Sequence, residues 1–148
     1  MASTKNINKK LNILLSDVMV YYQNLRGYHW NVKGQNFFEL HMKFEELYNE
    51  AAELADAVAE RILKLGGQPL DTYTKFLEQS QVKPTSGISK DTECVQNVVD
   101  QNKVILDLIN EIVKVAGETE DEGTIDLMTT QIEIIEERLW MYKSWLGN

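Results

Sequence analysis

The chain has 148 residues, 43% of them hydrophobic, with 23 acidic and 15 basic side chains and a formal net charge of −8. That is the size of one ordinary domain with apolar residues enough for a core, so a single domain over 1–148 is expected. The negative field disfavours nucleic acid and anionic membranes as partners and favours cations, although acidity also serves solubility alone.

No run of about eighteen uninterrupted apolar residues exists, and the polar start Met1-Ala2-Ser3-Thr4-Lys5 has no signal-peptide core behind it. The expectation is a soluble, cytoplasmic protein with no membrane association. Cys94 is the one cysteine, set among Val95, Val98 and Val99, and reads as a small buried residue rather than a reactive thiol.

Apolar residues recur at helical spacing nearly everywhere, which predicts an all-α fold. The first helix is expected over about Lys5 to Val32, with Leu11, Leu14, Leu15, Val18, Tyr22 and Leu25 on one stripe and Gly34 after its end. The second covers about Asn36 to Leu65, carries Leu40, Phe44, Leu47, Ala51, Leu54, Val58, Ile62 and Leu65, and stops at Gly66-Gly67-Gln68-Pro69. From Gln68 to Lys90 the pattern weakens into a long crossover with one short helix near Thr72–Gln79.

The third long helix, about Asp91 to Ala116, shows Val95, Val98, Asn102, Ile105, Leu106, Ile109, Ile112 and Val113. The fourth, about Thr124 to Leu146, shows Ile125, Met128, Ile132, Ile135, Leu139 and Tyr142, with Gly117 and Gly123 punctuating the junction. Two short connections and one long one give a ferritin-like four-helix bundle, whose second and third long helices run parallel.

The second helix has two apolar sectors. Opposite the core stripe lie Phe38, Met42, Ala52, Ala59 and Leu63 together with His41, Glu45, Asp56 and Glu60. Such a mixture suggests a face covered by another subunit, with its ionisable groups paired or holding a metal. Taken singly, each acid reads as a solvated residue, and Asp56 or Glu60 could pair with Arg61 or Lys64. His29 continues the first helix's stripe four residues after Leu25, so either histidine could be a satisfied buried imidazole. The balance shifts because the only two histidines accompany an i, i+4 carboxylate pair.

Two imidazoles and two carboxylates suit Fe(II) and leave positions open for an oxidant. His41 and Asp56 are fifteen residues apart on one helix, so their backbones stand roughly 22 Å apart at 1.5 Å per residue. They cannot share an ion within one chain. Two copies of the second helix packed antiparallel about a two-fold axis would bring His41 of one chain opposite Asp56 and Glu60 of the other, twice per dimer. The Glu-x-x-His pairs of an ordinary intrachain di-iron bundle are missing, since Arg26 and Phe38 stand three residues before His29 and His41.

The run Tyr28-His29-Trp30-Asn31-Val32-Lys33-Gly34, followed by Phe37, Leu40-His41, Phe44-Glu45, Asp56, Ala59-Glu60-Arg61-Ile62 and Leu65-Gly66-Gly67, resembles the Dps mini-ferritin family. The close match covers residues 28–67, and the helix layout extends it over nearly the whole chain. The resemblance implies intersubunit ferroxidase sites with His29 and His41 from one subunit and Asp56 and Glu60 from its partner, holding at most two iron ions. It also implies that Glu45 assists a second, weaker iron position. Trp30 is similar to the family's tryptophan beside the site, able to absorb an oxidising equivalent; an interface aromatic is the plainer alternative.

The resemblance further implies a homo-oligomeric shell of twelve subunits that oxidises Fe(II), preferably with hydrogen peroxide, and stores ferric mineral. Glu118, Glu120, Asp121, Glu122 and Asp126 crowd the start of the fourth helix, where the helix dipole favours carboxylates in any protein. By resemblance, Glu122 and Asp126 line pores that draw Fe(II) inward. Only Lys5, Lys9 and Lys10 offer a basic N-terminal segment, and a shell of twelve such chains carries roughly a hundred negative charges. DNA binding is therefore expected to be weak or absent; the alternative is a non-enzymatic DNA-binding nucleoid-protection protein.

Overall fold

In a computed structural model of the chain, residues 2–148 are described, with side chains from Thr4 onward. Met1 and the side chains of Ala2 and Ser3, part of the polar N-terminal stretch, lie outside the described residues. The elements in order are α1 (Ala2–Asn31), α2 (Phe37–Lys64), the short α3 (Tyr73–Gln79), α4 (Asp91–Glu118) and α5 (Glu122–Leu146). Their bounds agree with the apolar periodicity to within a few residues. No described helix is long and apolar enough to cross a membrane.

Side-chain pairings give the directions. Tyr28 meets Phe44 and Tyr22 meets Tyr48, so α1 and α2 are antiparallel. Asn24 bonds Gln101, Asn102 bonds Tyr21 and Lys10 bonds Glu111, so α1 and α4 are antiparallel too. Hence α2 and α4 run parallel, as a long crossover between them requires. Glu39 with Trp145, Glu50 with Arg138 and Arg61 with Asp121 fix α5 antiparallel to α2. The core at the centre is apolar: Leu11, Leu14, Leu25, Phe44, Val58, Ile62, Ile105, Ile109, Ile112 and Met128 are essentially inaccessible.

The crossover has few apolar residues to bury, so its backbone groups are satisfied by polar side chains of α1. Asn12 holds Gln68 and Leu70; Asp17 accepts from Ser80 and from the backbone N–H groups of Gln81 and Val82; Asn24 holds Lys83 and Thr85. Phe76 of α3 is buried, whereas Tyr73 and Leu77 are exposed.

The α4–α5 junction differs from expectation. Gly117 lies inside α4 and Gly123 inside α5, and the chain turns at Glu120, whose φ is +55°. Asp121 caps α5 through Thr124 and binds Arg61 of α2 at 2.6 Å. Gly123 leaves room for Arg61 rather than turning the chain: a Cβ there would stand 2.7 Å from the guanidinium, which would have to shift.

Candidate metal centre

α1 ends at Asn31, and a tight loop through Gly34, with φ of +115°, turns the chain directly into α2. Only glycine adopts that conformation without strain. The reversal sets the last turn of α1 against the first turns of α2 and brings His29 and His41 together. Their rings stack 14° from parallel with centroids 3.7 Å apart. Each Nδ1 lies on the other residue's main-chain carbonyl: His29 Nδ1 is 2.7 Å from the His41 oxygen and His41 Nδ1 is 2.8 Å from the His29 oxygen.

A carbonyl oxygen only accepts, so both Nδ1 atoms carry hydrogen and donate. In the neutral rings this leaves both Nε2 lone pairs free, the tautomer that metal-ligating histidines take. The pair is braced on both sides. Phe37 stacks on His41 at 4.9 Å, and the Tyr48 ring meets His29 edge-on at 5.3 Å. His29 is buried and His41 half-buried, so the rings are fixed while one edge stays open.

Glu45, one turn beyond His41, has Oε1 3.7 Å from His29 Nε2. That separation is too long for a hydrogen bond and leaves a hard oxygen donor beside the nitrogen. Asp56 and Glu60 lie farther along the unbroken α2, both exposed. Arg61 turns to Asp121 and Thr124 instead of to either acid, and neither acid forms an ion pair among the described residues. Among the described residues, no three His, Cys, Asp or Glu side chains gather closely enough to hold a metal. One chain thus pairs two imidazoles with Glu45 near His29, short of a three-ligand site, and presents Asp56 and Glu60 about four helical turns away from His41.

The face of α2 that carries these groups is apolar and open. Phe38 is 80% exposed, Met42 63% and Leu63 55%. Trp30 is 58% exposed with Arg26 over its ring at 5.0 Å, and Arg26 also covers Tyr22 at 5.4 Å. Glu122 and Asp126, in the first two turns of α5, are exposed. Asp121 behaves differently from its acidic neighbours. Burial opposes its ionisation, but hydrogen bonds from Thr124 and the Arg61 guanidinium together hold its carboxyl below the ordinary value. Cys94 is buried, and burial pushes its thiol up to about 11.

Tyr48 was not singled out in the sequence, and Phe37 entered only through the family resemblance, with no part in bracing His41. Tyr48 stands seven residues after His41 and Tyr22 seven before His29, which places both on the shared α1–α2 seam. The spacing was visible, but core aromatics show it equally.

Residues 8–148 match the family model for the ferritin-like domain. The chain is 40% identical over 137 residues to the DNA protection during starvation protein of Porphyromonas gingivalis, covering 93% of this chain and 86% of that one. Among solved structures it superposes on the Dps protein of Vibrio cholerae O1 with a TM-score of 0.96 at 39% identity, covering 98% of this chain and 91% of that chain. That protein is described as belonging to a broad superfamily of ferritin-like diiron-carboxylate proteins. A Dps protein from Bacillus brevis superposes with a TM-score of 0.96 at 35% identity, over 99% and 98% of the two chains.

Proposed function

The chain belongs to the Dps family of ferritin-like proteins, and from that membership and the histidine geometry we propose that it oxidises Fe(II) and stores the ferric product. The observation that carries this reading is the reciprocal His29–His41 pairing, which fixes two neighbouring imidazoles in the tautomer that binds metal. A merely structural histidine pair gains nothing from keeping both Nε2 atoms free beside a carboxylate.

Iron is the substrate. Two nitrogen and two carboxylate donors suit Fe(II), with borderline and hard ligands and open positions for the oxidant. His29 and His41 of one subunit and Asp56 and Glu60 of a second provide them, Glu45 serving a second, weaker position. The open apolar face around Phe38, Met42 and Leu63 supports a two-fold contact that brings the two half-sites together. Twelve subunits close a shell, each chain acting as one ferritin-like unit over residues 1–148. Glu122 and Asp126, exposed at the start of α5, attract Fe(II) to the pores.

With hydrogen peroxide as oxidant, two Fe(II) ions give one electron each, the O–O bond breaks, and two protons complete two waters. Pairing the electrons at one site avoids releasing hydroxyl radical, and this chemistry underlies protection under stress. Trp30, beside His29 in sequence, is a further oxidisable side chain. DNA has little to hold: Lys5, Lys9 and Lys10 all lie within α1, and Lys10 is engaged with Glu111 at 3.2 Å.

The test is to load the purified assembly anaerobically with Fe(II), add hydrogen peroxide and follow ferric absorbance. The proposal expects rapid oxidation at two Fe(II) per peroxide. Oxidation no faster than in a protein-free control overturns it.

A further inference from the structure

The end of the crossover runs beside the turn that pairs the two histidines. Asn24 holds the Lys83 carbonyl and the Thr85 N–H, and the Tyr28 hydroxyl meets the Thr85 hydroxyl at 2.8 Å. Farther on, the Lys33 N–H donates to the Ser89 carbonyl at 2.9 Å, and the Asn36 side-chain amide donates to Asp91 at 2.8 Å. The contacts follow the same order along both segments, and Lys33 and Lys90 form a parallel bridge. Within the turn, residues 32–36, only Val32 is buried, so apolar packing does little to fix its shape.

At Asn36 a local preference is overridden. The residue stands at the N-cap of α2, where an Asn side chain ordinarily accepts from the first N–H groups of the helix. Here φ and ψ are −95° and 15°, outside the extended region, and no side-chain cap bond forms. The side chain reaches instead to Asp91, 55 residues away in sequence. A carboxylate only accepts, so the amide nitrogen is the end that faces it. Asp91 is itself held, because its other oxygen accepts from the Thr92 N–H at 2.7 Å in the first turn of α4. A carboxylate is favoured there by the helix dipole.

We propose that Asn36 and Asp91 are positioning residues for the iron site: their bond sets the start of α2 against the end of α1 and so keeps His29 and His41 in register. The inference rests on the ferroxidase reading and deepens it. His29 is the third residue from the end of α1 and His41 the fifth of α2, so the turn between them governs their separation. Both rings are aimed by bonds to main-chain carbonyls, at 2.7 and 2.8 Å. Such bonds span about 2.7–3.2 Å, and a slide of roughly half an ångström between the helix ends carries both to the limit. Phe37, which follows Asn36 and braces His41 at 4.9 Å, moves with the same backbone. The two Nε2 lone pairs then lose the shared direction that an ion needs. Neither Asn36 nor Asp91 is a ligand; both act through the backbone that carries the ligands.

The experiment titrates the assembled protein anaerobically with Co(II), a redox-inert stand-in for Fe(II), and reads its visible ligand-field absorption. Peroxide-driven oxidation is then followed over a range of Fe(II) concentrations. Asn36→Ser removes the bond to Asp91 while keeping a residue that caps helices well. Asn36→Asp sets carboxylate against carboxylate, and adding Asp91→Asn exchanges the two groups, so that amide and carboxylate face each other again. Both single variants are expected to weaken Co(II) binding and to raise the half-saturating Fe(II) concentration by about tenfold, the low end for outer partners of metal ligands. The Co(II) spectrum changes shape in both, and the exchanged pair recovers affinity and spectrum. Asn36→Ser alone decides the matter where the charge introduced at position 36 prevents assembly. Single variants that bind Co(II) like wild type, or an exchanged pair no better than Asn36→Asp, overturn the proposal and leave the ferroxidase reading standing. A wild type that oxidises Fe(II) no faster than a protein-free control overturns both.

Discussion

His29 and His41 hold each other: each imidazole donates from Nδ1 to the other residue's carbonyl oxygen, across a ring stack of 3.7 Å. His29's carbonyl sits in the last turn of α1, where helix carbonyls lack an intrahelical partner, and His41's lies in the first turns of α2. One pair of side chains thus joins two helices and presents two lone pairs to a metal.

Metal binding to this arrangement should be visible as stability. Ligand that binds only the folded state stabilises it by about 2.7 kcal/mol at a hundredfold excess over its dissociation constant. Anaerobic Fe(II) is expected to raise the thermal midpoint of the wild type, and His41→Ala or Asp56→Ala is expected to remove most of that rise. His41→Ala should also cost about 1 kcal/mol without metal, through its lost hydrogen bond, whereas exposed Asp56 should cost little. An equal Fe(II)-induced rise in all three proteins would contradict this assignment.

Gly123 should respond to alanine against helix propensity. Alanine in a helix interior is worth about 1 kcal/mol over glycine. Here its Cβ would lie 2.7 Å from a guanidinium that Asp121 and Thr124 hold in place. Gly123→Ala is expected to gain nothing or to destabilise in wild type and to stabilise in an Arg61→Ala background. Urea unfolding of the four proteins in a double-mutant cycle measures the coupling. Additive effects would mean that the clash does not exist.

Asp17 gives a pH signature. Burial, its largest influence, pushes its carboxyl above the ordinary value, against hydrogen bonds from Gln81, Val82 and Ser80 and the charge of Lys83. A folded pKa above the unfolded one means that the folded state binds the proton more tightly. The stabilisation is then full below the unfolded value, about 3.9, and is lost as pH rises through the folded value. The stability difference between wild type and Asp17→Asn should therefore shrink or reverse as pH rises from about 4 toward neutrality. Unfolding by urea across that window checks it, and a constant difference would refute the assignment.

DNA retardation should be weak at physiological salt. Three α1 lysines per chain face a shell carrying −8 per subunit, and counterion release from so few contacts yields little affinity. A gel-shift titration at two salt concentrations measures this, and tight retardation at the higher salt would restore the nucleoid-protection reading.

The helices were legible because apolar spacing is set by what each face must bury, and α2 showed two apolar faces in sequence before Phe38, Met42 and Leu63 proved exposed. The α4–α5 turn was misread because Gly117 and Gly123 look like punctuation, while the true turn at Glu120 is fixed by Arg61, sixty residues from Asp121 in sequence. The donor types were legible from two histidines and an i, i+4 carboxylate pair. Their mutual hydrogen bonds were not, because they depend on main-chain carbonyls that carry no residue-specific signal. Tyr48 escaped for a related reason: its spacing fits both a core aromatic and a neighbour of His29.

The central claim is that one iron site draws ligands from two chains, and mixing tests it most directly. His41→Ala and Asp56→Ala subunits are separated, combined in equal amounts and reassembled, and peroxide-driven Fe(II) oxidation is compared with each variant alone. Random pairing makes half the dimers mixed, each with one intact site of two, so about a quarter of wild-type activity should return. Recovery to that level supports a shared site. A mixture no more active than its two components would contradict it.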